Sequence, residues 1–256
     1  MGQVPANAPA PAQAPYGFVG DGRLSRHWRH YFTSLGIPWR LWSRRLARAG
    51  EPGTCLPQAL ADCEVLLLAV SDDAILPVAD ALRAAGLGGR TLVHFSGGRS
   101  FAGLFGAHPL MSFADELYEP GFYRQVPVFV EQDLAGTDPV ARFRELFPRL
   151  PNPRFALRAA DKPLYHALCS LAGGMTAVLW QEFFETMATR LHVPREALAA
   201  FPRRVIENAI RSPRAALTGP VARGDAGTIR LHLEALAGAP LGAVYEAFVA
   251  AAGRHS

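Results

Sequence analysis

Lysine is almost missing from this 256-residue chain: of its 26 basic residues only Lys162 is a lysine, and the rest are arginines. Against 22 acidic residues this leaves a formal charge of +4. The basic residues are scattered rather than run together, so no nucleic-acid partner is expected. Cysteine is also scarce. Cys55, Cys63 and Cys169 form no CxxC pair, and no Cys/His set has zinc-finger spacing. No metal site is expected, and a reducing, cytoplasmic compartment is the simplest reading. Residues 1–15 are Ala/Pro-rich and lack charge, including the basic n-region of a signal peptide, and are expected to be a disordered tail. A long apolar run is missing as well. Pro163–Gln181 is uncharged, but it contains Tyr165, His166, Ser170, Gly173, Gly174 and Thr176, which suits a core helix better than a membrane span.

In a chain that uses Arg wherever a cation is wanted, a position that stays Lys points to a need for a compact ammonium that can change protonation state. The plain alternative is one surface lysine surviving by chance.

The first half alternates short apolar strands with helical patterns: strands at Tyr16–Gly20, Trp39–Ser43, Glu64–Val70, Thr91–Phe95, Leu104–Ala107, Val126–Glu131 and Arg154–Leu157, helices at Arg23–Leu35, Asp73–Ala85 and Pro139–Phe147. This predicts parallel βαβ units, a Rossmann-like, doubly wound α/β sheet over residues 16–159. From 160 to 256 the pattern is all-helical. Asp161 is expected to N-cap a helix running to about Leu191, broken at Gly173-Gly174, followed by helices to about Ile210, from an Asp225 N-cap to Ala237, and over Leu241–Ala252.

Gly20-Asp21-Gly22-Arg23-Leu24-Ser25 lies between a strand and a helix. The first glycine permits a tight turn, and the second lets backbone approach a pyrophosphate held at the helix N-terminus. Gly20, Gly22, Arg23 and Leu24 are therefore candidate cofactor contacts, with an ordinary βα turn as the alternative. Asp21 is unfavourable beside phosphates unless it points away. The next strand ends Trp42-Ser43-Arg44-Arg45, without the acid that accepts from an NAD ribose. Ser43, Arg44 and Arg45 suit a 2′-phosphate, hence NADP, unless they only begin a solvated helix. Val70, Ser71, Ser96 and Gly97 lie where loops follow strands, and are expected to border the same crevice.

His94 reads as a packed strand residue, and His108, before Pro109, as a candidate pocket residue. Lys162, Tyr165 and His166 are spaced i, i+3, i+4 and share one helix face. All three suit proton donation during carbonyl or imine reduction. Gly173-Gly174 fits close approach of a cofactor, a substrate or another helix. Leu217-Thr218-Gly219-Pro220-Val221-Ala222-Arg223-Gly224-Asp225 reads as a rigid loop, with Thr218 and Gly219 as candidate substrate contacts.

Together the GDGRLS turn, Leu92-Val93-His94-Phe95-Ser96-Gly97, Gly106-Ala107-His108-Pro109-Leu110, Lys162-Pro163-Leu164-Tyr165-His166 and the 217–225 loop resemble a family with a Rossmann-like NADP-binding domain and a poorly characterised helical C-terminal domain. Its relatives are pyrroline-5-carboxylate reductase, 6-phosphogluconate dehydrogenase and the deazaflavin-dependent NADP oxidoreductases. The resemblance implies a homodimer through the helical domains and an active site between domains. From the residues themselves, Lys162 and His166 are expected to orient the substrate or donate the proton, with His108 and Tyr165 as substrate contacts. Such proteins tend to carry Asn twelve residues after the Lys; here that position is Gly174. The expected function is an NADP-dependent oxidoreductase acting on a small carbonyl, imine or hydroxy compound. A non-catalytic dinucleotide-binding regulatory or redox-sensing dimer is the alternative.

Overall fold

The computed structural model describes residues 14–49, 55–132 and 138–253. Of the expected N-terminal tail, residues 1–13 lie outside the described residues. The chain divides into two compact units, Met1–Ser170 and Leu171–Ser256.

The first unit is built on a seven-stranded sheet. Its strands are β1 (Tyr16–Val19), β2 (Trp39–Trp42), β3 (Val65–Leu68), β4 (Thr91–His94), β5 (Phe105–Pro109), β6 (Val128–Gln132) and β7 (Arg154–Arg158), in the order β2-β1-β3-β4-β5-β6-β7. Helices α1 (Arg23–Ser34), α2 (Arg44–Arg48), α3 (Leu56–Ala59), α4 (Asp72–Leu82), α5 (Pro120–Tyr123) and α6 (Pro139–Leu146) connect them. Successive strand residues point to opposite faces, so each strand feeds two cores. Phe18, Leu67 and Val93 pack with Trp28, Tyr31 and Phe32 of α1 and with Phe143 of α6. Val19, Leu66, Leu68 and Leu92 pack on the other face with Ile75, Ala79 and Leu82 of α4. This is the expected Rossmann-like sheet with one correction: β5 and β6 run antiparallel. The link between them carries only the four-residue α5. It has no helix long enough to cross the sheet face and return, as a parallel pair requires. The β6-α6-β7 unit then restores parallel pairing.

One polar residue pins the far side of this core. Asn152 is buried, and its Nδ2 donates to the carbonyls of Tyr123 at 2.7 Å and Val126 at 2.9 Å. Its Oδ1 accepts from the Tyr31 hydroxyl at 3.0 Å, tying α1 to the loop before β6.

The sheet ends at Arg158, where the composition shifts, but α7 (Lys162–Cys169) remains with the first unit because its first turns pack on β6. The expected long helix is divided by a π-helical segment, Ser170–Met175, that contains Gly173-Gly174. It continues as α8 (Thr176–Thr189), followed in the second unit by α9 (Arg195–Leu198), α10 (Ala200–Arg211), α11 (Pro220–Arg223), α12 (Ala226–Ala235) and α13 (Gly242–Ala252). Asp161 and Asp225 stand at the expected N-cap positions, but neither side chain caps its helix. Asp161 binds Arg158 and Asp225 binds Arg223, since a nearby guanidinium is a stronger partner for a carboxylate than a helix N–H. Among the described residues of the second unit only Ala252 is buried. Among the described residues, no helix is long and apolar enough to cross a membrane.

Replacing Asn152 by Ala leaves the Tyr31 hydroxyl and two carbonyls without their partner in a dry core. At about 1–3 kcal/mol per unsatisfied buried group, partly relieved by relaxation, the expected loss is about 2–4 kcal/mol of stability. Urea unfolding followed by tryptophan fluorescence measures it; a loss under about 0.5 kcal/mol would contradict the pinning role.

Candidate functional site

The turn after β1 is shaped by a steric constraint. Gly20 has φ +104°, and a Cβ there would collide with the carbonyl oxygen of Ala69, just past β3. Any other residue is excluded twice, by conformation and by contact. Gly22 differs: it adopts ordinary extended backbone, N-caps α1, and a Cβ on it would meet open space. No side chain caps the first turn of α1, and no acid lies within it. Its amides thus face a cleft of about 990 Å³ lined by Gly20, Gly22, Leu24, Val70 and Phe95, with Ser43, Arg44 and Arg45 at the β2 end.

Asp21 points away from that helix terminus. Its Oδ2 accepts from Arg45 Nε at 2.8 Å and from the Ser43 hydroxyl at 3.3 Å. Partial burial works to raise the carboxyl's pKa, but Arg45 and Ser43 outweigh it and hold it below the usual carboxylate range. Arg23 lines the cleft, yet its guanidinium is gripped by Asp115, with Nε 2.7 Å from Oδ1. What Arg23 offers a ligand is its backbone at the helix start. Ser71 is exposed at the α4 N-terminus and Val70 borders the cleft beside it.

A second cluster lies beyond the β4 loop. Phe129 and Glu131 alternate onto one face of β6 and meet α7 there. The Phe129 and Tyr165 rings are 4.6 Å apart, and Lys162 Nζ donates to Glu131 Oε2 at 2.5 Å. The lone lysine is 3 % exposed and its partner 12 %. Gly106 makes room for this pair, since a Cβ there would lie 2.5 Å from Glu131 Oε2. Burial favours the neutral Glu131, but the His94 ring and the Lys162 ammonium reverse this and hold its pKa at about 2. Burial also draws the Lys162 pKa down, and Glu131 draws it back. The two groups form a salt bridge in which Glu131 is the carboxylate. His94 is fully buried; its Nδ1 accepts from the Ser96 N–H at 3.3 Å, which requires that nitrogen to be unprotonated. Its Nε2 is 3.6 Å from Glu131 Oε2, too long for a hydrogen bond. Burial keeps His94 neutral, as its packed-strand reading expects.

His166 of α7 faces the Ser96-Gly97-Gly98 loop. A Cβ on Gly97 would lie 2.6 Å from the His166 ring and 2.9 Å from that of His108, so glycine there lets two imidazoles approach. His108 Nδ1 is 2.8 Å from the Tyr165 hydroxyl. Burial, with lesser contributions from His166 and Lys162, lowers the His108 pKa to about 4. Burial raises that of Tyr165, which stays protonated. The Ser96 hydroxyl donates to Asp72 Oδ2 at 2.7 Å and accepts from the Arg99 N–H at 3.0 Å, fixing the loop between cleft and imidazoles.

Residues 126–252 match the family described as a domain of unknown function, DUF2520. Solved structures of similar shape include a protein from Bacteroides fragilis assigned as an NADP oxidoreductase (17% identity, TM-score 0.74, covering 94% of this chain and 98% of that one). A Streptomyces aurantiacus imine reductase is similar at 16% identity and TM-score 0.57, over 94% and 93% of the two chains. Pyrroline carboxylate reductase of Plasmodium falciparum, with NADP bound, is similar at 12% identity and TM-score 0.59, over 94% and 96%. These likenesses show a Rossmann-like fold with a helical C-terminal domain. No curated protein sequence matches it.

The residues expected from the sequence separate into three groups. Gly20, Gly22, Leu24, Ser43, Arg44, Arg45, Val70 and Ser71 share the cleft. His108, Tyr165 and His166 gather beside Gly97, and Lys162 pairs with Glu131 on β6, within the same unit. Thr218 and Gly219 lie in the second unit, where Gly219, at φ +87°, N-caps α11. Glu131 and Asp72 were missed. An acid in phase with Phe129 on an otherwise apolar strand was the available signal for Glu131.

The buried imidazoles predict acid sensitivity. The unfolded chain protonates His108 near pH 6.5, whereas the folded chain resists until about pH 4. Unfolded chains thus bind more protons in that window, and stability falls as pH drops from about 6.5 to 4. His108→Gln should flatten this part of a pH series of thermal melts; an unchanged slope would show that His108 is not held neutral.

Proposed function

We propose that the first unit binds NADP and that the chain is an NADP-dependent oxidoreductase acting on a small carbonyl, imine or hydroxy compound. The observation that carries this reading is the cleft at the α1 N-terminus, with Ser43, Arg44 and Arg45 at one end and no acid among residues 42–45. The residues fit the group. Uncapped α1 amides and the bare Gly22 suit a pyrophosphate, guanidiniums suit a 2′-phosphate, and Leu24, Val70 and Phe95 supply apolar walls. When bound, the nicotinamide supplies or accepts the hydride.

The chain's own contribution is positioning and a proton. Tyr165 keeps its proton and contacts His108, and His166 lies beside both the His108 ring and the Gly97 backbone, so a proton can pass through this group to a substrate atom. Lys162 is a positioning residue: paired with Glu131, it holds the first turn of α7, and with it Tyr165 and His166, against the sheet. That pairing also favours the competing reading, a non-catalytic NADP-binding dimer, because the lone lysine is committed to an ion pair. NADPH consumption against a panel of imines, 2-oxo acids and sugar acids separates the two. With an accepted substrate, Tyr165→Phe should slow turnover about 10²–10⁴-fold while NADPH affinity stays unchanged. Absence of turnover across the panel, with NADPH still bound, would favour the regulatory reading.

Calorimetry should show NADPH binding at least about tenfold more tightly than NADH. Arg44→Ala/Arg45→Ala should remove that preference, as charge-assisted hydrogen bonds contribute about 1.5–3 kcal/mol each. Equal affinities in the unaltered protein would overturn the NADP assignment.

The second unit is proposed to pair with a second copy of itself. It buries only Ala252 among its described residues while exposing Leu171, Val178, Phe201, Ile206 and Ile210. A helical unit needs its apolar faces covered to be stable. Light scattering at micromolar concentration should give a dimer; a monomer would refute the pairing.

A further inference from the structure

We propose that Asp21 is a cofactor-specificity residue: its carboxylate occupies Arg45 and Ser43, the groups suited to a 2′-phosphate, and so selectively holds back NADPH. This deepens the NADP reading above and rests on it. Asp21 stands between the two glycines of the phosphate turn, yet its side chain reaches across to the end of β2. There one oxygen accepts from both Arg45 Nε, at 2.8 Å, and the Ser43 hydroxyl, at 3.3 Å. Ser43 also accepts from the Leu46 N–H at 3.3 Å and N-caps α2. The three groups thus form an anion site that already holds an anion supplied by the chain.

A 2′-phosphate makes the same demand as this carboxylate, for a guanidinium and a hydroxyl donor. The two anions cannot share those donors, and side by side they repel. NADPH must therefore displace Asp21 or bind without Arg45. The displacement is feasible, because the Arg45 side chain is 75 % exposed, and exposed ion pairs are weak and screened by salt. The ribose hydroxyl of NADH is neutral and leaves the pair intact. Arg44 and Arg48, from α2, also line this end of the cleft and offer the phosphate attraction that Asp21 opposes.

The test is a double-mutant cycle read by calorimetry with NADPH and NADH, on the full chain carrying Asp21→Asn, Arg45→Ala, or both. Asn keeps the size and an acceptor but not the charge. Asp21→Asn is expected to tighten NADPH about tenfold, ~1.4 kcal/mol, and to leave NADH within about twofold. In the Arg45→Ala background the gain should shrink to about twofold, because the donor under competition is gone. Equal tightening of both cofactors would mean that Asp21 repels the shared pyrophosphate, which overturns the proposal. So would an undiminished gain in Arg45→Ala, or no gain at all. If both cofactors bind and Asp21→Asn changes neither, only the proposal falls; if neither binds the unaltered chain or Asp21→Asn, the NADP reading falls with it.

Discussion

The buried pair between Lys162 and Glu131 orders the side of the first unit where chemistry is proposed. It joins the first turn of α7 to β6 at 2.5 Å, in surroundings nearly closed to water. Two ions leave water at a cost of several kcal/mol each, so the pair persists only because it is short and sterically accommodated. Gly106 provides the space, and the Phe129–Tyr165 contact closes the same seam one turn further along α7. Once α7 is set this way, Tyr165 meets His108 and His166 meets Gly97 without further adjustment. A longer or planar cation would not fit the same space, which gives a physical reason for a single lysine in an arginine-rich chain.

The cleft proposed for the cofactor depends on a different constraint, the approach of Gly20 to the Ala69 carbonyl. Such closeness lets the β1 turn lie over the end of β3 and aims the α1 amides outward. Ser25 stands where a third glycine would bring helix and strand closer, and it is wholly buried. The two constraints meet at the Ser96-Gly97-Gly98 loop, whose hydroxyl is tied to Asp72 on the cleft wall and whose backbone touches the imidazoles. Cleft and proton-bearing cluster are thus parts of one compact unit.

The second unit follows other rules. Its helices bear large exposed apolar side chains and almost no buried ones. Gly173 and Gly174, at the π-helical segment, face open space within the chain.

Much of the fold was legible in the sequence because its signals are local. Strand and helix positions follow from apolar runs and their periods, and the phosphate turn from two glycines between a strand and a helix. The end of β2 advertised its charge through Arg44 and Arg45. What the sequence could not supply was pairing over long separations. The antiparallel β5–β6 pair depends on how an 18-residue link folds back. The partners of Asp161 and Asp225 were decided by which guanidinium lay nearer than a helix amide. Lys162 could be marked as unusual, but only the register of α7 against β6 shows that it answers Glu131, 31 residues earlier. Asp21 likewise reads as an intruder among phosphate-binding residues until the turn brings it to Arg45. Composition and spacing determine which chemistry the chain carries, whereas backbone geometry determines which charges neutralise one another and which remain for a ligand.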